Sequence, residues 1–100
     1  MAKQRKILSD ALHAMCDNVY FQPPTGYMLK YPCILYEFSG LERRPADNLG
    51  YITYGIYTIT YITRNPDDDV KFQIAELPMC HMERTYESDN LYHYSYRIYH

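Results

Sequence analysis

Apolar residues recur at helical spacing near the start of this chain and at strand spacing through most of the rest. From Ala2 to about Asp17, Ile7, Ala11 and Met15 fall at i, i+4 and i+8, and Leu8 with Leu12 widens the same stripe. This predicts one amphipathic helix with Lys3, Arg5, Lys6 and Asp10 outside the stripe, stopping near Asn18. Val19, Tyr20 and Phe21 favour a short extended segment, and Pro23-Pro24-Thr25-Gly26 makes a turn that cannot continue a ladder. Between Tyr27 and Phe38, Cys33, Leu35 and Glu37 alternate against Ile34, Tyr36 and Phe38. Pro32 belongs near the start of that run or at an edge, because it has no amide proton to donate.

Residues 40–50, GLERRPADNLG, are bracketed by glycines and carry Glu42, Arg43, Arg44, Pro45 and an Asp47-Asn48 pair, a composition that predicts a long charged loop. Tyr51 to Thr63, YITYGIYTITYIT, is almost wholly β-branched or aromatic and is the strongest predicted strand. Fully extended it would span about 40 Å and project beyond a small core, with Gly55 marking a bulge or close approach. The NPDDD run at Asn65 to Asp69 predicts a helix start. Asn65 serves as N-cap, Pro66 takes the first helical position, and three acids lie at the positive end of the dipole. Val70, Ile74 and Leu77 then recur helically until Pro78, after about three turns.

Met79 to Glu87 reads as a strand, Ser88-Asp89-Asn90 as a turn and Leu91 to His100 as a last strand. In that last strand Tyr92, Tyr94, Tyr96 and Ile98 share one face, while Leu91, His93, Ser95, Arg97 and Tyr99 share the other. The order α-β-β-β-α-β-β predicts a single α+β domain over residues 1–100. Its expected form is a mixed, mainly antiparallel sheet of four to five strands with two helices on one face.

Composition sharpens one point. Thirteen of the 100 residues are tyrosine and none is tryptophan, and the tyrosines crowd Tyr51 to Tyr61 and Tyr86 to Tyr99. A tyrosine ring supplies large contact area with little rotamer entropy to lose, and its hydroxyl still finds water or a partner. Such strands suit a sheet that is half core and half docking surface. The apolar fraction of 47%, the charged fraction of 22% and a mean hydropathy of -0.48 fit an ordinary globular chain.

A formal charge of -2 and pI near 6.0 argue against phosphate gripping. The segment after Met1 to Lys6 is broken by Ser9, Asp10 and His13, so no signal core is read, and no run nears the roughly 20 apolar residues of a membrane helix. The product is expected to stay where it is made, with Cys16, Cys33 and Cys80 as reduced, inert thiols.

Machinery for chemistry is not legible. His13, His81, His93 and His100 accompany no nucleophile signature, phosphate loop or HExxH, so the chain reads as a non-enzyme without cofactor. His13, Cys16, Cys80 and His81 would suit zinc by ligand type, but their spacing matches no finger, and no metal site is expected. Helix-start electrostatics accounts for Asp67, Asp68 and Asp69 without a cation.

The ordered set of features in NPDDDVKFQIAELPMCHMERTYESDNLYHYSYRIYH resembles small proteins encoded in the tail-morphogenesis region of long-tailed phages and prophages. Those proteins combine a long strand, an Asn-Pro-Asp helix, a Leu-Pro segment, an Asp-Asn turn and a C-terminal strand. VYFQPP at Val19 to Pro24, KYPCILYEF at Lys30 to Phe38 and the ADN segment at Ala46 to Asn48 are similar as well, so the resemblance spans nearly the whole chain. The group looks like tail terminators, ring subunits that cap the head-proximal end of the tail tube and dock the head connector. Head-tail connector or stopper proteins and minor tail components are the near alternatives, and a small non-viral binding module is the reading from a different class.

The resemblance implies a virion protein of the tail or neck, assembled in the host cytoplasm. Its implied partners are itself in a ring, commonly a hexamer in that group, the tail tube protein and the head-tail connector protein. DNA would pass through without specific binding, and six copies at -2 each would carry -12, favouring passage. A ring needs heterologous contacts that close by rotation. Tyrosine enrichment at interfaces makes Tyr51, Tyr54, Tyr57, Tyr61, Tyr92, Tyr94, Tyr96 and Tyr99 the subunit-contact candidates. Arg43, Arg44, Asp47 and Asn48 are the loop candidates for touching a partner or the lumen.

Overall fold

The computed structural model describes residues 2–46 and 50–100. The elements, in chain order, are α1 (Ala2–His13), β1 (Val19–Phe21), β2 (Cys33–Ala46), β3 (Gly50–Thr63), α2 (Val70–Ala75), β4 (Cys80–Ser88) and β5 (Leu91–Tyr99). One five-stranded sheet has the order β1-β2-β3-β5-β4, with β1 parallel to β2 and every other pair antiparallel. The α+β class, the element order and the mixed, mainly antiparallel sheet follow the alternation in the sequence.

Period-two alternation puts Ile34 and Tyr36 of β2, Tyr57, Ile59 and Tyr61 of β3, and Tyr94, Tyr96 and Ile98 of β5 on one face. The register aligns them in rows, Ile34 beside Tyr61 beside Tyr94 and Tyr36 beside Ile59 beside Tyr96. Leu8, Leu12 and Cys16 from the α1 segment and Ile74 of α2 close over that face as one core. Both helices therefore lie on the same side of the sheet.

Three boundaries differ from the sequence reading. The buried stripe is Leu8 and Leu12 of α1, continued by Cys16 beyond the helix end, while Ile7 stands at its exposed rim. The second helix starts at Val70, not at Pro66, and lasts six residues. Asn65 Oδ1 accepts the Asp67 amide at 3.0 Å in a local turn, and Asp68 is drawn back onto β3, where its Oδ2 accepts from Tyr61 Oη at 2.6 Å and Thr63 Oγ1 at 3.0 Å. Those bonds compete with helical continuation.

The third difference is the segment read as a long loop. Residues 40–46 extend β2 and pair with residues 50–56 of β3. A bulge at Ser39 shifts the register between Phe38 and Gly40, and Gly50 opens the return strand at φ 94, a left-handed conformation suited to glycine. At Gly55 a close approach is present instead of a bulge, with the Phe38 ring 3.6 Å from where a Cβ would sit. The β4–β5 connection is tighter. Asp89 and Asn90 have φ 54 and 63 between paired Ser88 and Leu91, the two-residue turn that an Asp-Asn pair favours.

Burial sets the alkaline limit of this fold. Desolvation pushes the Cys33 thiol up to about 12 and that of Cys80 to about 11, from 9.0, and raises Cys16, Tyr61, Tyr94 and Tyr96 as well. The folded chain holds these protons more tightly than the unfolded one, so their contribution is complete below pH 9 and is lost as pH rises through the folded values. Thermal stability should be flat toward pH 9 and fall above it. Tyrosinate absorbance should rise in two phases, the second, from Tyr61 and Tyr96, coinciding with loss of near-UV dichroism. Complete tyrosine ionisation with the dichroism intact would contradict the burial described.

Candidate interaction surface

The ladder between β3 and β5 begins only at Ile56, paired with Tyr99, and β1 covers β2 only from Ile34 to Tyr36. Residues 40–46 and 50–55 thus leave the body as a two-stranded arm, helping to stretch the molecule to 50 × 25 × 22 Å. Its root is pinned where the His100 amide donates to the Gly55 carbonyl at 2.7 Å. An isolated two-stranded ribbon is marginal in water, so an arm of this length calls for a second surface.

Alternation divides the arm into two faces. On the helix side stand Leu41, Arg43 and Pro45 opposite Gly55, Thr53 and Tyr51, and the Arg43 guanidinium lies 4.5 Å from the Tyr51 ring centre. Leu41 is 57% exposed and Tyr51 62%. On the opposite side Arg44 pairs with Glu42 at 3.2 Å and lies over the Tyr99 ring, next to Tyr54.

The eight tyrosine contact candidates separate accordingly. Tyr57, Tyr61, Tyr94 and Tyr96 belong to the core, and as subunit contacts they are corrected. The reason is parity, since these four face the helices, and the hydroxyls of Tyr61 and Tyr96 are already committed to Asp68 and to the Lys71 carbonyl. Tyr51 is exposed, and Tyr54, Tyr92 and Tyr99 are half-buried. Arg43 and Arg44 lie on the arm, while Asp47 and Asn48 fall outside the described residues.

A scan of protein-family models and a search of curated proteins returned no match for this chain.

Elsewhere on the surface the histidines and cysteines stand apart. His13 and Cys16 lie at the end of α1, where the Cys16 thiol faces the Asn18 and Pro32 carbonyls, whereas Cys80 and His81 open the edge strand β4. Among the described residues no three His, Cys, Asp or Glu side chains gather as a metal site. No helix is long and apolar enough to cross a membrane among the described residues. The sheet face away from the helices is polar, with Thr58, Thr60, Ser95 and Arg97 in its centre, and a shallow depression of about 180 Å³ there is lined by Gln22, Pro23, Leu35, Glu37 and both threonines.

Sequence reasoning missed two surface features. One is the α1–α2 corner, a cleft of about 290 Å³ lined by Ile7, Leu8, Leu77, Pro78, Met79 and Ile98. The other is Phe72 on the outer side of α2, 60% exposed. A signal for Phe72 was available: Val70, Ile74 and Leu77 set the buried stripe, and Phe72 lies opposite it at 100° per residue.

Proposed function

We propose that this chain is a structural, self-assembling subunit of a phage tail, a tail terminator-like ring component. It would close the head-proximal end of the tube and present a docking surface to the head connector. The observation that carries the reading is the unsupported arm, with Leu41 and Tyr51 in water on one face and open backbone on both of its strands. Edge strands and exposed aromatics gain most by meeting another protein surface. The resemblance of the ordered sequence features supplies the tail context, and the excess of acids over bases suits a passage for DNA.

Electron microscopy tests this directly. Purified protein, alone and mixed with a phage tail tube protein, is expected to form closed rings, seated on one end of the tubes in the mixture. A monodisperse monomer that ignores the tubes at high concentration would overturn the proposal.

A further inference from the structure

The edges of the sheet differ in how they are guarded against another strand. The outer side of β2 carries Glu42, Arg43, Arg44 and Pro45, and β4 carries a bulge at Glu83 with exposed Arg84 and Glu87. β1 is three residues long and is followed by Gln22, Pro23 and Pro24. Charges, prolines, bulges and shortness are the devices by which edge strands avoid pairing. The side of β3 that β5 leaves uncovered has none of them. Its residues 50–55, GYITYG, hold no charge, no proline and no bulge.

Two observations fix which backbone groups face that side. The Gly55 carbonyl points toward the line of β5, where it accepts from the His100 amide at 2.7 Å. Backbone direction alternates along a strand, so the amides and carbonyls of Thr53 and Tyr51 point the same way. Pro45, which has no amide proton, stands opposite Tyr51, as suits a pair that exchanges no hydrogen bonds. The ladder to β5 begins only at Ile56, so among the described residues no strand meets Tyr51 and Thr53 from that side. Each of the two presents a donor and an acceptor there, and Tyr51 is 62% exposed.

We propose that this edge pairs antiparallel with the same edge of a second copy, about a two-fold axis at Ile52. In that register Tyr51 of each copy faces Thr53 of the other, and every outward donor of the two residues meets an acceptor. Moving the axis to Thr53 would call on Gly55, whose carbonyl His100 already holds. Side chains fit the same register: a ring lies beside a β-branched residue where Tyr51 faces Thr53, Tyr54 falls beside Gly50, and no charge meets its like at the seam. So short a row of bonds does not offset the ordering of a flexible peptide, whereas a second arm is already extended. The other edges of a second copy are the guarded ones. Identical surfaces meet, so the contact is isologous and ends at two copies. It goes beyond the ring reading and does not rest on it.

Thr53→Pro tests the pairing by sedimentation and native mass spectrometry of the full chain. It removes an outward amide and spares the ladder to Arg43, as Pro45 does opposite Tyr51. Circular dichroism checks the fold, and Thr53→Lys, which sets a charge at the seam, is the second variant. Each should raise the protein concentration needed for dimers at least about ten-fold. Ile52→Cys reads the register, because opposed residues that exchange no hydrogen bonds lie about 4.5 Å apart between Cα atoms, within disulfide range. With oxidised glutathione taking up the two electrons, Ile52→Cys should link two copies, while Thr53→Cys and the parent, with its own three cysteines, should not. Parent dimers that both Thr53 variants preserve, or equal linking of Ile52→Cys and Thr53→Cys, would overturn the pairing. Rings from a parent whose Ile52→Cys variant does not link would overturn it too and leave the ring standing. Linked dimers that never close into rings, with or without tubes, would support the pairing and overturn the ring. A parent that stays monomeric throughout would overturn both.

Discussion

Asp68→Ala is expected to lower the free energy of unfolding by about 3 kcal/mol, the cost of stranding two buried hydroxyls. The carboxylate accepts from Tyr61 and Thr63, which are 1% and 2% exposed, and its other oxygen accepts the Val70 amide at 3.3 Å. One side chain therefore ties the end of β3 to the start of α2. Without it the Tyr61 hydroxyl loses its acceptor, that of Thr63 is left with the Asn65 carbonyl at 3.5 Å, and the first turn of a six-residue helix loses its anchor. Asp68→Asn keeps one acceptor oxygen and should cost less than half as much. Asp67→Ala, at an exposed position, should stay within about 0.5 kcal/mol of the parent. Urea titrations with an unchanged slope measure all three. An Asp68→Ala protein as stable as Asp67→Ala would refute the hub.

Cutting back the arm is expected to abolish assembly while sparing the fold. Joining Gly40 to Ile56, which are paired, through an Asn-Gly turn removes residues 41–55 and keeps the whole buried core. The shortened chain loses the His100 to Gly55 bond and a solvent-exposed ribbon, so its stability should change by only about 1 kcal/mol. Ring formation in electron microscopy should disappear. A shortened chain that still forms rings would move the subunit contact to another surface, with the long open edge of β4 the next to examine.

Strands announced themselves because β-branched and aromatic residues alternate over long runs. The face assignments of Tyr92 to Tyr99 came directly from that period. What alternation could not give was which face the helices cover, and four tyrosines expected outside are inside for that reason. Tyrosine reads the same way in a core and at an interface, since a buried hydroxyl needs only one partner, as Tyr96 finds in the Lys71 carbonyl at 2.7 Å. The charged stretch at residues 40–46 misled by composition. Glu42, Arg43, Arg44 and Pro45 look like loop residues, yet an arm standing in water can carry them on a ladder, where Arg44 meets Glu42 and Arg43 covers Tyr51. Similarly, NPDDD has the composition of a helix start, but the tertiary bonds of Asp68 delay the helix to Val70.

The bulge at Ser39 acts as a phase shifter for the arm. Before it, even-numbered residues of β2 face the helices; after it, odd-numbered ones do. That single extra residue puts Leu41 and Arg43 on the helix side of the arm and turns Glu42 and Arg44 to the opposite side. Removing it would swap the two stripes without changing any other residue, so the arm's chemistry is fixed by count as much as by composition. Insertions and deletions of one residue near position 39 are therefore the mutations most able to redirect what the arm touches.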